Sequence, residues 1–137
     1  MPKGLSRAVA SQADPLGSPE HVERALHGFF RIMQLWNVGN THARRILGQP
    51  PPRIFSRWKR GHVEGVPLDT LRRIGYVSGI WKALQVVYGE PAQADRWPTV
   101  PNRALGGQTP LERMAAGDVT DLAAVRQYLE HARAPWS

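Results

Sequence analysis

Cysteine is absent from this chain of 137 residues, which removes any disulfide framework and any thiolate metal site. No apolar run approaches the ~20 residues that a membrane-spanning helix needs. No signal-peptide core follows the first methionine, so the expected location is cytoplasmic, with no membrane partner. Convincing strand alternation is missing too, and the expected fold is all-α. Catalytic signatures are equally scarce. The histidines at 21, 27, 42, 62 and 131 form no metal-binding motif. Glu23 and His27 have the i, i+4 spacing of a ligand pair, yet lack a third ligand and read as an exposed polar pair. Gly106-Gly107 has no strand before it, as a nucleotide-binding loop requires, and no serine sits in a strand-to-helix elbow. The expectation is a non-enzymatic protein with no cofactor, metal or catalytic residue.

Acid is the next scarcity. The formal charge is +7, which favours a polyanionic partner. Residues 1–65 hold ten Lys/Arg against four Asp/Glu, whereas residues 66–137 hold eight against seven. The excess therefore belongs to the front half.

It concentrates in residues 40–62, NTHARRILGQPPPRIFSRWKRGH, which contain six Arg/Lys and no acid. Asn40 is a good capping residue, and Ala43, Ile46 and Leu47 follow at helical spacing. Gly48 suits the left-handed end of a helix. Of the three prolines that follow, Pro51 or Pro52 can begin a second helix. There Ile54, Phe55 and Trp58 form an apolar side, while Arg53, Arg57 and Arg60 fall at i, i+4 and i+7 on another. Two helices about a short turn, the second bearing an arginine stripe, read as a helix-turn-helix with its recognition helix over residues 52–62. The interval from Gly48 to Trp58 is one residue longer than usual, so the turn is expected to be one residue longer. Arg53 and Arg57 are the candidates for guanine edges, since the guanidinium fork matches O6 and N7. Ser56 can approach a base or a phosphate. Lys59, Arg60 and Arg44 or Arg45 are candidates for phosphate contacts, which give register without sequence information. A solvated basic face on a core helix is the bland alternative.

The remaining elements frame this pair. Residues 1–18 read as a flexible arm. Ser18-Pro19-Glu20 opens a helix to about Trp36, broken by Val38-Gly39. Residues 67–70 open the longest helix, to about Tyr88. Gly75 and Gly79, four apart, leave a shallow place for another helix. Its apolar circumference calls either for a central position or for a subunit contact. One helical turn is expected near residues 92–97. Thr109 to Glu112 has the pattern of a capping box, with a short helix ending at Gly117. Asp118 or Thr120 caps a last helix, residues 119–133, that buries Leu122, Val125, Leu129 and Ala132. Trp136 then stands one residue from the end, to dock on its own protein or to anchor a partner.

Taken together, LDTLRRI at 68–74, PN at 101–102, LGGQTPLERM at 105–114 with Gly117, and VRQYL at 125–129 resemble the Xre/MbcA/ParS antitoxin family. The likeness covers roughly residues 20–137. It implies an N-terminal Xre-like helix-turn-helix bundle packed on a small C-terminal helical toxin-binding domain. The implied layout is an arm at 1–18, a DNA-binding region at 19–66, a central or dimerisation helix and linker at 67–97, and a toxin-binding domain at 98–137. The resemblance implies a RES-domain toxin partner that degrades NAD, covered at its active site by the antitoxin's C-terminal region. It also implies a homodimer that binds double-stranded operator DNA and represses its own operon. Asn102, Gly106, Gly107, Pro110, Leu111, Arg126, Tyr128, Leu129 and Trp136 are the toxin-binding candidates it points to. The alternative is a free-standing helix-turn-helix regulator without a toxin.

Overall fold

A computed structural model describes residues 18–133. The helices are α1 (Pro19–Leu35), α2 (Asn40–Ile46), α3 (Pro52–Lys59), α4 (Leu68–Val87), α5 (Pro91–Arg96), α6 (Pro110–Met114) and α7 (Val119–Arg133). Two 3-10 turns, Trp97–Thr99 and Arg103–Leu105, lie between α5 and α6. Among the described residues there is no strand, and the fold is all-α as the periodicity indicates. The arm, apart from Ser18, and Trp136 lie outside the described residues.

Local chemistry explains most boundaries. Ser18 caps α1, its hydroxyl accepting from the His21 N–H at 3.2 Å, with Pro19 in the first turn. The helix ends at Leu35, one residue short of the expected Trp36, and the break begins at Asn37 rather than at Val38-Gly39. Asn37 adopts φ 58°, and the Val38 N–H reaches back to the Met33 carbonyl at 2.8 Å. Asparagine here supplies the left-handed residue of a Schellman ending, a role its short polar side chain tolerates.

Asn40 departs from expectation. Gly39 holds the cap position of α2 without a side-chain bond, and Asn40 is already helical. Its Oδ1 instead accepts from Lys59 Nζ at 2.7 Å, tying the start of α2 to the end of α3. Gly48 (φ 93°) and Gln49 (φ 59°) both turn left-handed after α2, and Pro52 opens α3 as the sequence indicates. α3 is shorter than residues 52–62. It stops at Lys59, because Gly61 takes φ 98° and the His62 N–H bonds the Arg57 carbonyl at 2.9 Å.

α4 lies at the centre. It packs against α1 on one side and α7 on another, with α5 beside it. Leu71, Ile74, Val77, Ile80, Ala83 and Leu84 are buried in a core shared with Phe29, Trp36, Ile46, Trp58, Leu122 and Val125. Central placement thus accounts for its broad apolar surface. In α7 the buried stripe ends at Leu129; Ala132, expected inside, is exposed because the last turn lies outside the core.

One buried group was not singled out by the sequence. Arg73 is only 8% exposed. Its Nε donates to Asp69 Oδ2 at 2.8 Å, and one terminal nitrogen reaches the Gly117 carbonyl at 3.0 Å and the Ile46 carbonyl at 3.5 Å. Those carbonyls close α2 and the turn before α7, where helix ends carry partial negative charge. Gly48 makes room for it, since a Cβ there would stand 3.0 Å from Arg73 Nε.

Carboxylates take part in the first turns of the last two helices. The Thr109 N–H and hydroxyl hold the Glu112 carboxyl below its ordinary value within a full capping box. The Thr120 hydroxyl and the first amides of α7 do the same for Asp118.

Two outcomes follow from these contacts. Arg73→Met should cost about 2–3 kcal/mol in urea unfolding, because two carbonyls lose their donor. Asp69→Asn should cost far less, since the Asp69 side chain is 57% exposed and water screens the pair. Separately, the folded carboxyls of Glu112 and Asp118 titrate below their unfolded values, so their stabilisation is complete above the unfolded values. It is lost as pH falls through the lowered folded ones. Amide protection at residues 110–121, taken relative to intrinsic exchange, should therefore fall below about pH 4, ahead of α1, whose cap is a neutral serine.

Candidate functional site

The α2–α3 pair is built from its inward side. Phe55 and Trp58 are 4% and 3% exposed, and Ile54 is half-buried. The Phe55 ring meets Phe30 of α1 edge-on at 5.5 Å, and Phe30 meets Phe29 at 5.2 Å. This aromatic anchor fixes the roll of α3, so the opposite side must face solvent. Arg53, Ser56, Arg57, Lys59 and Arg60 are all exposed, as is Arg45 on α2. Among the described residues the ion pairs are Arg73 with Asp69 and Arg113 with Asp121. The guanidinium groups of Arg53, Arg57 and Arg60 are therefore not neutralised by any described residue.

Two cations on this side have internal duties. Arg44 is half-buried, and a terminal nitrogen donates to the Pro50 carbonyl at 2.8 Å across the turn. That bond braces the residues linking α2 to α3, which leaves Arg45 as the free phosphate candidate of the pair. Lys59 is held by Asn40, as described above. Glu23 and His27 stand exposed on α1 without company: among the described residues no three His, Cys, Asp or Glu gather as a metal site.

The second cluster lies at the other end of the chain. Asn102 organises the loop between the 3-10 turns and α6. Its N–H bonds the Gln108 carbonyl at 3.0 Å, its carbonyl accepts from Gly107 at 3.0 Å, and its Oδ1 accepts from the Ala104 N–H at 2.9 Å. Gly106 and Gly107 have φ 73° and 88°, left-handed values that side chains resist. The loop is thus closed on itself and presents both glycines to solvent.

Of the other candidates here, Leu111 and Tyr128 are half-buried and Arg126 is exposed. Tyr128 stacks on Trp97 with ring centres 6.2 Å apart and planes at 16°. Pro110 and Leu129 require correction as contact residues. Pro110 is buried and Leu129 is 1% exposed, so both belong to the core beneath the surface. Gly79, expected to admit another helix, instead receives the Arg126 side chain from α7, and Gly75 faces open space. Trp97, which the sequence does not single out, joins this cluster through the stack; two aromatics beside a proline-rich loop are the available signal.

The back half of this fold is thus a helical unit with a closed, glycine-tipped loop. Residues 83–134 match the family described as the antitoxin Xre/MbcA/ParS C-terminal toxin-binding domain. An uncharacterised protein of Sinorhizobium fredii, y4oB, is 33% identical over 121 residues, covering 88% of this chain and 93% of that relative. No solved structure matches the chain. The chain belongs to the Xre/MbcA/ParS antitoxin family, and its role is that of an antitoxin with a toxin protein as partner. The family is one of regulatory proteins rather than enzymes. Among the described residues no helix is long and apolar enough to cross a membrane.

Because the arginine stripe is unpaired and exposed, the double change Arg53→Ala/Arg57→Ala should alter unfolding free energy by no more than ~0.5 kcal/mol. Phe55→Ala, which empties the anchor, should cost about 3–4 kcal/mol. Chemical denaturation of both variants reads the contrast directly; comparable losses would mean that the arginines brace the fold.

Proposed function

We propose that this antitoxin neutralises a RES-domain, NAD-degrading toxin by covering its active site, and that as a homodimer it binds operator DNA and represses its own operon in the cytoplasm. The toxin-binding domain match carries the first half of this reading. It also favours an antitoxin over a free-standing regulator. The unpaired arginine stripe on α3 supports the second half.

In this reading residues 19–66 serve DNA, residues 67–97 link the two functions and contribute the dimer contact, and residues 98–137 serve the toxin. α3 enters the major groove. Arg53 and Arg57 read guanine edges, and Ser56 approaches a base or phosphate. Arg45 and Arg60 hold phosphates, with Arg44 and Lys59 bracing the helix pair behind them. The dimer sets two such helices about one DNA turn, ~34 Å, apart on a palindromic site. The toxin meets the Asn102 to Leu111 loop and helix, Arg126 and Tyr128, while Trp136 enters its cleft. The back half carries little net charge, so apolar and hydrogen-bond complementarity govern that contact.

Co-expression with the toxin encoded beside it tests the first half: the full chain should restore growth, and a chain lacking residues 134–137 should not. Full rescue by the shortened chain would defeat the idea of a cleft blocked by Trp136. An electrophoretic shift with DNA upstream of the gene tests the second half. Affinity should fall by ~10³-fold or more between 50 and 200 mM salt if ~6–8 phosphates are contacted per dimer. It should vanish in Arg53→Ala/Arg57→Ala. Retained, sequence-specific binding in that variant would remove α3 as the reading helix.

A further inference from the structure

Arg126 has an unusual seat. Its side chain leaves α7 and crosses onto α4, where it lies against the bare backbone of Gly79. A Cβ at Gly79 would stand 2.9 Å from the Arg126 Cζ and 3.0 Å from its Nε, too close to coexist with the guanidinium where it is. The same group sits 5.9 Å from the centre of the Tyr76 ring. Glycine and tyrosine, three apart on one helix face, thus form a notch and a wall that confine a planar cation.

Beyond this seat, no described residue neutralises the cation. Among the described residues Arg126 makes no hydrogen bond and no ion pair, and it is exposed. Arg72, one turn before Tyr76 on the same stripe, is exposed and adds a second positive charge. Asp69, further along that stripe, is already bonded to Arg73. A guanidinium that is immobilised, unneutralised and open on one edge is a receptor for a carboxylate, which it can grip with two parallel bonds. Restricting its rotamers beforehand reduces the ordering cost on binding.

We propose that Arg126, seated in the Gly79–Tyr76 notch, is the carboxylate anchor of the toxin interface, and that Gly79 is its positioning residue. The inference rests on the antitoxin reading above and extends it in two respects. It names an acidic side chain or chain end of the toxin as the group bound. It also carries the toxin-binding surface back onto α4, ahead of the matched residues 83–134.

Gly79→Ala separates this role from a structural one. Glycine within a helix is a weak helix former, and the obstructing atoms are the movable end of a long side chain. The variant should therefore melt at or above the wild-type temperature while displacing the guanidinium. Binding of the purified RES-domain toxin, followed by calorimetry, should weaken about tenfold or more in Arg126→Ala. It should weaken severalfold in Gly79→Ala despite the intact fold. Arg126→Lys, which keeps the charge and loses the fork, should remain well below wild type. The salt dependence of toxin affinity should be shallower in Arg126→Ala. Wild-type binding matched within twofold by both Arg126→Ala and Gly79→Ala would overturn the anchor while leaving the antitoxin reading standing. Toxin binding unchanged with operator affinity lost would overturn it in favour of a nucleic-acid contact. A wild-type chain that does not bind the toxin would fell the RES reading and the anchor with it.

Discussion

The arrangement of this molecule depends on a cation placed where the core would otherwise have exposed carbonyl ends. Hydrophobic burial pulls α1, α4 and α7 together but is indifferent to direction. Arg73 supplies direction. From the second turn of the central helix it reaches the Ile46 carbonyl at the end of α2 and the Gly117 carbonyl before α7, residues 27 and 44 positions away in sequence. A guanidinium has fixed donor angles, so these ends can meet it in few relative orientations. The helix pair that carries the basic face and the unit matched as toxin-binding are thereby fixed to one helix. The Asp69 partner is largely solvated and adds little; the carbonyls are what make the residue expensive to lose.

The same distinction between fixing and presenting runs through α2 and α3. Phe55 and Trp58 anchor α3 against α1, and this burial decides which arginines face outward. Around the stripe, two further cations are spent on geometry. Arg44 spans the turn to Pro50 and Lys59 joins Asn40, so the turn, lengthened relative to the usual spacing, is stiffened by side chains rather than by a shorter loop. The DNA-reading role proposed for this surface would need its side chains placed to within ångströms, which bracing of the turn favours. The phosphate-contact role proposed for this end of the chain accordingly falls to fewer residues than the charge count suggests.

Much of the fold was legible because its signals are local. Ser18 before Pro19, Pro52 after two other prolines, and Thr109 with Glu112 each fix a helix start through groups within three or four residues. Helical spacing likewise placed Phe55, Trp58, Leu122 and Val125 inside. What failed was whatever depended on distant partners. Nothing local marks Arg73 rather than its neighbour Arg72 for burial, and only carbonyls from two other elements make it the buried one. Asn40 looks like a cap until Lys59 competes for its side chain. Gly79 was recognised as a gap, but nothing in a single chain's spacing says that an arginine 47 positions later fills it. Asn37 ending α1 was obscured by the glycine two residues on, a stronger punctuator by type.

The motif that reveals the family is, on this structure, mostly architecture. Asn102 closes its own loop, Gly106 and Gly107 allow the turn, Thr109 and Glu112 cap α6, and Pro110 and Leu129 fill the core. Residues with those duties have little left with which to discriminate one partner from another. Discrimination must come from side chains that the architecture holds but does not consume. In the described region these are the half-buried Leu111, the Tyr128–Trp97 stack and the seated Arg126. An interface so composed has an aromatic and aliphatic centre with one oriented charge beside it, the pattern in which affinity comes from a few anchors and specificity from the charge. Two relatives could therefore share every motif residue and still refuse each other's toxins, through changes confined to the side chains that the motif merely supports.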